Sequence, residues 1–127
     1  MEILVVDDNP VIQETLPPIL RKALGEVTVT AASHLDEAFR HLAHHPAPAL
    51  AFLDLGLPGH TGIETLRRFR WKFPGVPVVV ISATEDAASV RVAKSLGVHG
   101  YLPKSLKPDE MVEALKKIGA GKTFFPP

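Results

Sequence analysis

The feature that most restricts how this chain can fold is a strict alternation of two hydrophobic patterns. Five short apolar runs predict strands, and each is followed by a segment whose apolar residues recur at helical spacing. The predicted strands cover residues 3–6, 27–31, 49–53, 76–81 and 98–102. Strands and helices in this order predict a parallel sheet with right-handed crossovers and helices on both faces. We therefore expect an α/β fold in which a five-stranded parallel sheet is flanked by five helices.

Capping residues and prolines predict where the helices begin and end. Asn9 is a good N-cap with Pro10 in the first helical position, and the apolar pattern then continues to Leu24. The pair Pro17-Pro18 lies inside this pattern and predicts a kink or a tightened turn in place of an unbroken helix. The other helices are predicted to begin at Ser33, at His60 or Thr61 after a turn of Gly56, Leu57, Pro58 and Gly59, near Asp86, and at Pro108.

Length and composition limit the classes of protein to consider. A chain of 127 residues predicts one domain, which we place at residues 1–120, with residues 121–127 as the start of a linker or a C-terminal tail. Fourteen basic residues balance fourteen acidic ones, so we expect no direct nucleic-acid binding by this domain. The chain has no cysteine, no signal-peptide pattern and no apolar run of membrane-spanning length. We expect a cytoplasmic protein without membrane association.

Polar residues stand where the predicted strands end. Asp7 and Asp8 follow the first strand, Asp54 follows the third, Ser82 follows the fourth, and Lys104 follows the fifth. In an open α/β sheet, ligands bind outside the carboxyl ends of the strands. The sequence therefore predicts that these five side chains share one edge of the sheet.

The chemistry of these side chains favours phosphoryl transfer. Three carboxylates at one place repel, and a divalent cation together with an ammonium group relieves that repulsion. Carboxylate oxygens with some water suit Mg²⁺, which commonly binds one or two carboxylates plus phosphate oxygens. We expect Asp54 to be the nucleophile that forms an aspartyl-phosphate, while Lys104 and the Ser82 hydroxyl contact phosphoryl oxygens. Asp7 or Asp8 is the less suitable nucleophile, because adjacent acids serve a cation better.

At these residues the chain resembles the receiver domain of bacterial two-component response regulators, and the resemblance covers essentially all 127 residues. The motifs that carry it are VVDDNP, LDLGLPGHTG, VISAT and GYLPKS. The resemblance implies a flavodoxin-like (βα)5 receiver fold. It also implies that Asp54 accepts phosphate from a histidine kinase or a small phosphodonor. Mg²⁺ would be held by Asp8, Asp54 and the Gly56 backbone carbonyl, with Asp7 bonding to metal-bound water.

The resemblance further implies a conformational switch. Ser82 and Lys104 would hold the phosphate, and Tyr101 would turn inward when Ser82 is drawn towards it. The two-state element would be the segment from Ser82 to Thr84 together with Tyr101. Phosphorylation would then reshape the surface of the fourth helix, fifth strand and fifth helix.

The C-terminal sequence of the chain resembles receivers whose output is a helix-turn-helix DNA-binding domain, and that output domain is missing here. Control of transcription or dimerisation, with a sensor histidine kinase and a second copy of the chain as partners, is therefore the expected role. By the same resemblance the chain is not an enzyme beyond catalysing its own phosphotransfer and dephosphorylation.

Two positions depart from the family pattern. The family usually has proline directly after the lysine, whereas here Pro103 precedes Lys104 and Ser105 follows it. Gly56 lies two residues after Asp54, where the family often has a larger side chain. A glycine there predicts a phosphoryl group that is more open to attacking water.

Other interpretations account for fewer of these residues. A Mg²⁺-dependent phosphohydrolase with an aspartyl-phosphate intermediate commonly has a second acid two residues after the nucleophile, and that position is Gly56. A receiver-like module that dimerises without phosphorylation would not need Asp8, Asp54 and Lys104.

The histidines at positions 41, 44 and 45 could form a Zn²⁺ site, although solvated side chains near a helix C-terminus are the simpler interpretation. The Gly121-Lys122-Thr123 run follows a helix, which argues against a P-loop.

Overall fold

The computed structural model describes residues 1–57 and 61–127. Five strands and five helices alternate along the chain. The strands are β1 (Glu2–Val6), β2 (Thr28–Ala32), β3 (Leu50–Asp54), β4 (Val78–Ser82) and β5 (Gly100–Pro103). The helices are α1 (Pro10–Leu24), α2 (Leu35–His44), α3 (Gly62–Lys72), α4 (Ala87–Ser95) and α5 (Pro108–Gly119). The alternation predicted from the hydrophobic pattern is therefore confirmed.

All strands pair in parallel, and their order in the sheet is β2-β1-β3-β4-β5. This is the strand order of flavodoxin-like folds, in which the binding crevice lies where the order reverses, here between β1 and β3. The register places Val6 beside Leu53 and Ser82 beside Pro103. The carboxyl ends of β1, β3, β4 and β5 consequently meet along one edge.

Two apolar layers cover the faces of the sheet. Successive residues of each central strand point to opposite layers, as the pleat requires. Leu4 and Val6 pack with the apolar faces of α2, α3 and α4, whereas Ile3 and Val5 pack with α1 and α5. Every residue of β3 and β4 is buried. Strands that are covered on both faces read as continuous apolar runs, which is why the pattern of this sequence predicted them.

Helix α1 corrects one sequence prediction. It runs unbroken from Pro10 to Leu24 although Pro17 and Pro18 lie inside it, so the expectation that the helix would not be unbroken is wrong. Each proline removes one hydrogen bond to the carbonyl four residues earlier. Pro18 and Glu14 are exposed, so at that position the unpaired carbonyl lies on the solvent side of the helix. The buried side chains on the opposite face, together with the Asn9 cap, hold the helix in place.

Several boundaries differ from prediction by one or two residues. β4 begins at Val78 instead of residue 76, because Val76 forms a turn with Phe73 and Pro77 has no N–H to donate to a strand ladder. β2 and β5 begin one and two residues later than predicted. The N-cap of α2 is His34 and not Ser33, although the Ser33 N–H donates to the Glu37 carboxylate at 3.2 Å.

The third helix begins as one of the two alternatives predicted. Thr61 is the N-cap of α3, and its Oγ1 accepts from the Glu64 N–H at 3.3 Å. Pro58, Gly59 and the alternative start His60 lie outside the described residues. All peptide bonds in the described ranges are trans, and this includes the bond between Lys104 and Ser105. No helix in these ranges has the length and apolar character that crossing a membrane requires.

Candidate functional site

A cleft of about 600 Å³ opens at the carboxyl edge of the sheet. Most of the residues proposed from the sequence line it. They are Asp8, Asp54, Gly56, Ser82, Thr84 and Lys104. They lie at the ends of four strands, β1, β3, β4 and β5, so the parallel register brings together residues that are far apart in sequence. The predicted meeting of these side chains at one edge agrees with the structure.

Three carboxylates gather at one side of this cleft. Asp7, Asp8 and Asp54 each place an oxygen within 4.8 Å of the others. Asp7 is fully buried and Asp54 is 3 % exposed, whereas Asp8 faces solvent. Burying two carboxylates costs free energy unless a cation or hydrogen-bond donors compensate. The surroundings of these acids therefore decide what the site can bind.

Lys104 provides the nearest positive charge. Its Nζ lies 3.0 Å from Asp7 Oδ2 and 3.4 Å from Asp54 Oδ1. The Lys104 N–H donates to the Ser82 carbonyl at 2.7 Å, which ties the start of the loop after β5 to β4. One ammonium thus contacts both buried acids, while Asp8 adds a third negative charge nearby.

Backbone donors orient the two buried carboxylates. The Asn9 N–H donates to Asp7 Oδ1 at 2.8 Å, and the Gly56 N–H donates to Asp54 Oδ1 at 2.9 Å. Asp7 Oδ2 is buried and has no hydrogen bond, so its compensation is the Lys104 ammonium. Each carboxylate therefore keeps an oxygen that a cation could ligate.

Burial raises the pKa of the Asp54 carboxyl, and the negative charge of Asp7 raises it further. The Gly56 N–H and the Lys104 ammonium act in the opposite direction, but the net shift is upward. The charged form of Asp54 is therefore disfavoured in this site, chiefly because its carboxylate is removed from water. Carboxylate oxygens at this spacing, one of them buried without a hydrogen bond, fit a divalent cation that prefers oxygen ligands, such as Mg²⁺.

A short chain of hydrogen bonds leads from the cleft to β5. The Thr84 N–H donates to Ser82 Oγ at 3.1 Å, and the Tyr101 hydroxyl donates to the Thr84 carbonyl at 2.8 Å. Tyr101 is fully buried, and burial raises the pKa of its hydroxyl. The side chain proposed as the switch therefore occupies an inward position and contacts the segment that follows β4.

Two residues of the site were not anticipated from the sequence. Gln13 Nε2 donates to the Asp7 carbonyl at 2.6 Å and to Ser33 Oγ at 3.0 Å. These two hydrogen bonds stabilise the loop after β1, which contains Asp7 and Asp8. Gly62 lies so close to Leu55 that an added Cβ would be 2.8 Å from the Leu55 carbonyl oxygen. The helical pattern gave no sign of the role of Gln13, because its partners lie in the loops after β1 and β2.

The zinc alternative is not supported by the structure. The His41 and His45 rings stack with centroids 4.1 Å apart, and His45 Nδ1 lies 2.9 Å from the His41 carbonyl. In the described part of the chain, the only three potential metal ligands that come within 4.8 Å of one another are the aspartates of the cleft.

Comparison with known proteins gives a family match and curated relatives. The response regulator receiver domain family matches residues 3–116. The transcriptional activator protein ExaE of Pseudomonas putida is 34 % identical over 125 residues, which are 98 % of this chain and 58 % of that protein. The nitrate/nitrite response regulator protein NarL of Escherichia coli K12 is 32 % identical over 120 residues, which are 94 % of this chain and 55 % of that protein. The chain thus spans little more than half the length of these relatives.

A solved structure shows the same architecture. A LuxR family DNA-binding response regulator from Silicibacter pomeroyi superposes with a TM-score of 0.84 and 27 % sequence identity. The superposition covers 99 % of this chain and 97 % of that one.

Proposed function

The chain belongs to the response regulator receiver domain family, and from this premise we propose that Asp54 is its phosphoacceptor in a Mg²⁺-dependent reaction. The observation that carries the proposal is the position of Asp54. Its carboxylate lies at the end of β3 in an open cleft, 3.4 Å from the Lys104 ammonium and beside two further acids. No other described carboxylate combines burial, a cationic neighbour and access to this cleft.

The proposed step is a transfer of one phosphoryl group. An Asp54 carboxylate oxygen attacks phosphorus, and the bond from phosphorus to the kinase histidine or to the leaving oxygen of a small donor breaks. The electron pair of that bond leaves with the donor. Lys104 and the Ser82 hydroxyl stabilise the phosphoryl oxygens, and Lys104 gives up part of its contact with Asp7 to do so.

The metal would be held by Asp8, Asp54 and the Gly56 carbonyl, with Asp7 bonding to a metal-bound water. When bound, Mg²⁺ supplies positive charge that offsets the carboxylates and the incoming phosphoryl group. Because Asp8 faces solvent, its side chain can reach an ion that enters from the cleft.

A signalling role is favoured over enzymatic turnover. A phosphohydrolase needs a general acid or base near the acyl phosphate, and Gly56 offers none. An added Cβ at Gly56 would lie 3.4 and 3.6 Å from the two Asp54 carboxylate oxygens, so the glycine leaves that face open to water. The chain would therefore catalyse only its own phosphorylation and the loss of the phosphoryl group.

The proposed output is control of transcription. ExaE and NarL are named as a transcriptional activator and a response regulator, and both extend well beyond the region matched by this chain. We propose that a sensor histidine kinase phosphorylates the domain in the cytoplasm. The surface of α4, β5 and α5 would then act on a DNA-binding output domain or on a second copy of the chain. The inward contact of Tyr101 with Thr84 supports a switch in this region.

The test is treatment with acetyl phosphate and Mg²⁺, followed by intact-protein mass spectrometry. The wild type should gain one phosphoryl group, and Asp54→Asn should gain none. Asp36→Asn, an exposed acid on α2, is the matched control and should be labelled like the wild type. EDTA should abolish labelling of both competent proteins. Equal labelling of Asp54→Asn would move the phosphoacceptor to another residue.

A further inference from the structure

The segment that follows α5 does not leave the domain directly. In this tail, residues 121–127, Phe124 pairs with the edge strand β5. The Tyr101 N–H donates to the Phe124 carbonyl at 2.8 Å, and the Phe124 N–H donates to the His99 carbonyl at 3.4 Å. Phe124 and Gly100 form a parallel bridge. An edge strand has unpaired backbone groups that accept another strand, and here the tail pairs with them.

Two aromatic side chains anchor the tail on opposite faces of the sheet. Phe124 packs against the apolar layer of α1 and α5, whereas Phe125 packs against the layer that contains Tyr101. The Lys117 and Lys94 ammonium groups lie 6.0 and 5.2 Å from the respective ring centroids. A segment held on both faces and by the backbone is a docked element and not a free linker.

Gly100 makes close approach of the tail possible. A Cβ at this position would lie 3.3 Å from the Phe124 carbonyl oxygen and 2.7 Å from Ile118 Cδ1. A side chain here would therefore force the Ile118 side chain to move and would press on the backbone of the tail at Phe124. The sequence of β5 is thus compatible with an occupied edge.

Tyr101 joins this docking site to the cleft. Its backbone N–H binds the tail, and its hydroxyl binds the Thr84 carbonyl. Thr84 in turn donates its N–H to Ser82 Oγ, which lies at the phosphoacceptor cleft. Three hydrogen bonds therefore connect the tail to a residue proposed to contact the phosphoryl group.

We propose that the edge of β5 is the docking site of the tail of this chain, and that docking is coupled through Tyr101 to the occupancy of the Asp54 site. The docked tail favours the inward position of Tyr101, and an anion on Asp54 that draws Ser82 and Thr84 inward favours the same position. The coupling, although not the docking, rests on the proposed function of Asp54. By linkage, each event must strengthen the other by the same factor.

Amide hydrogen exchange without any ligand tests the docking. The Phe124→Ala/Phe125→Ala double variant removes both anchors, and the single Phe125→Ala variant is a milder form. Thr123→Ala, an exposed residue of the same tail, is the matched control. Exchange of the Tyr101 amide should be at least about fivefold faster in the double variant than in the wild type or the control. The His99 amide, which donates to the Val78 carbonyl, should stay protected and shows that β5 is still paired with β4.

Titration with beryllium fluoride in the presence of Mg²⁺ tests the coupling. The double variant should bind this phosphoryl analogue about fivefold more weakly or worse, and the analogue should slow exchange of the Tyr101 amide in the wild type. Unchanged Tyr101 exchange in both phenylalanine variants would show that the tail is not docked. Faster exchange with unchanged affinity would overturn the coupling. A wild type that does not bind the analogue would instead contradict the role of Asp54, and the exchange comparison would still decide the docking.

Discussion

Replacing Lys104 by methionine should destabilise the metal-free protein, because Lys104 is the only described cation within 4 Å of Asp7 and Asp54. With an effective dielectric constant of about 20, unit charges at 3.0 and 3.4 Å attract by about 5.5 and about 5 kcal/mol. Much of this attraction offsets the cost of removing the charges from water. Loss of one partner of a buried pair costs about 3–5 kcal/mol net. Since the Lys104 side chain is 18 % exposed, we expect the lower end of that range, about 3 kcal/mol.

The assay is urea and thermal unfolding in EDTA, with Lys122→Met as the matched control because Lys122 is exposed. A loss of about 3 kcal/mol in a domain of this size lowers Tm by about 10 °C. The control should unfold like the wild type. Adding Mg²⁺ should reduce the difference in unfolding free energy between Lys104→Met and the wild type. Bound ligand stabilises the fold by about 1.4 kcal/mol at ten times its Kd, and the more negative site of the variant should bind Mg²⁺ more tightly.

The dependence on pH separates charge from packing. Burial already raises the pKa of Asp54, and loss of the lysine removes an influence that lowers it. A carboxyl whose pKa is raised by folding destabilises the folded state least while it is protonated. The free energy of unfolding therefore falls as the pH rises and the carboxyl loses its proton. The difference in unfolding free energy between the wild type and Lys104→Met should therefore increase from about pH 5 to pH 8. A variant that unfolds like the wild type in EDTA, or with a deficit independent of pH, would refute the reasoning.

Two further predictions address the openness of the cleft and the acid stability of the fold. Gly56→Leu should slow loss of the phosphoryl group by about fivefold, because the leucine side chain covers the Asp54 carboxylate, and Gly56→Ala should have a smaller effect. The decay of the phosphorylated protein is followed by intact mass. Equal lifetimes of the phosphoryl group in the wild type and both variants would contradict this prediction. His41 has a pKa lowered by burial and by His45, so its contribution to stability is complete above about pH 6.5 and falls as pH decreases. As the pH is lowered from 7.5 to 5, the urea midpoint of His41→Gln should therefore fall less steeply than the midpoints of the wild type and of the control His44→Gln. Parallel curves of midpoint against pH would show that His41 does not contribute to the pH dependence of stability.

The sequence alone determined the fold class and the edge of the sheet that carries the site. Strands covered on both faces must be apolar throughout, so β3 and β4 stood out as uninterrupted runs. Parallel strands end on the same side, so Asp54 after one run and Lys104 after another had to approach each other. These inferences need only hydrophobic period and chain direction, and both are local properties.

Tertiary structure decided which specific groups meet. The ammonium of Lys104 lies closer to Asp7 than to the proposed nucleophile, and Gln13 braces the turn after β1. Helix α1 continues through its prolines because its apolar face is buried, a stabilisation that propensity does not include. Residues 121–127 were predicted only as the start of a linker or a C-terminal tail, and the pairing of Phe124 with the edge of β5 was not predicted. Distances of this kind depend on how separate elements pack, and no local pattern in the sequence encodes them.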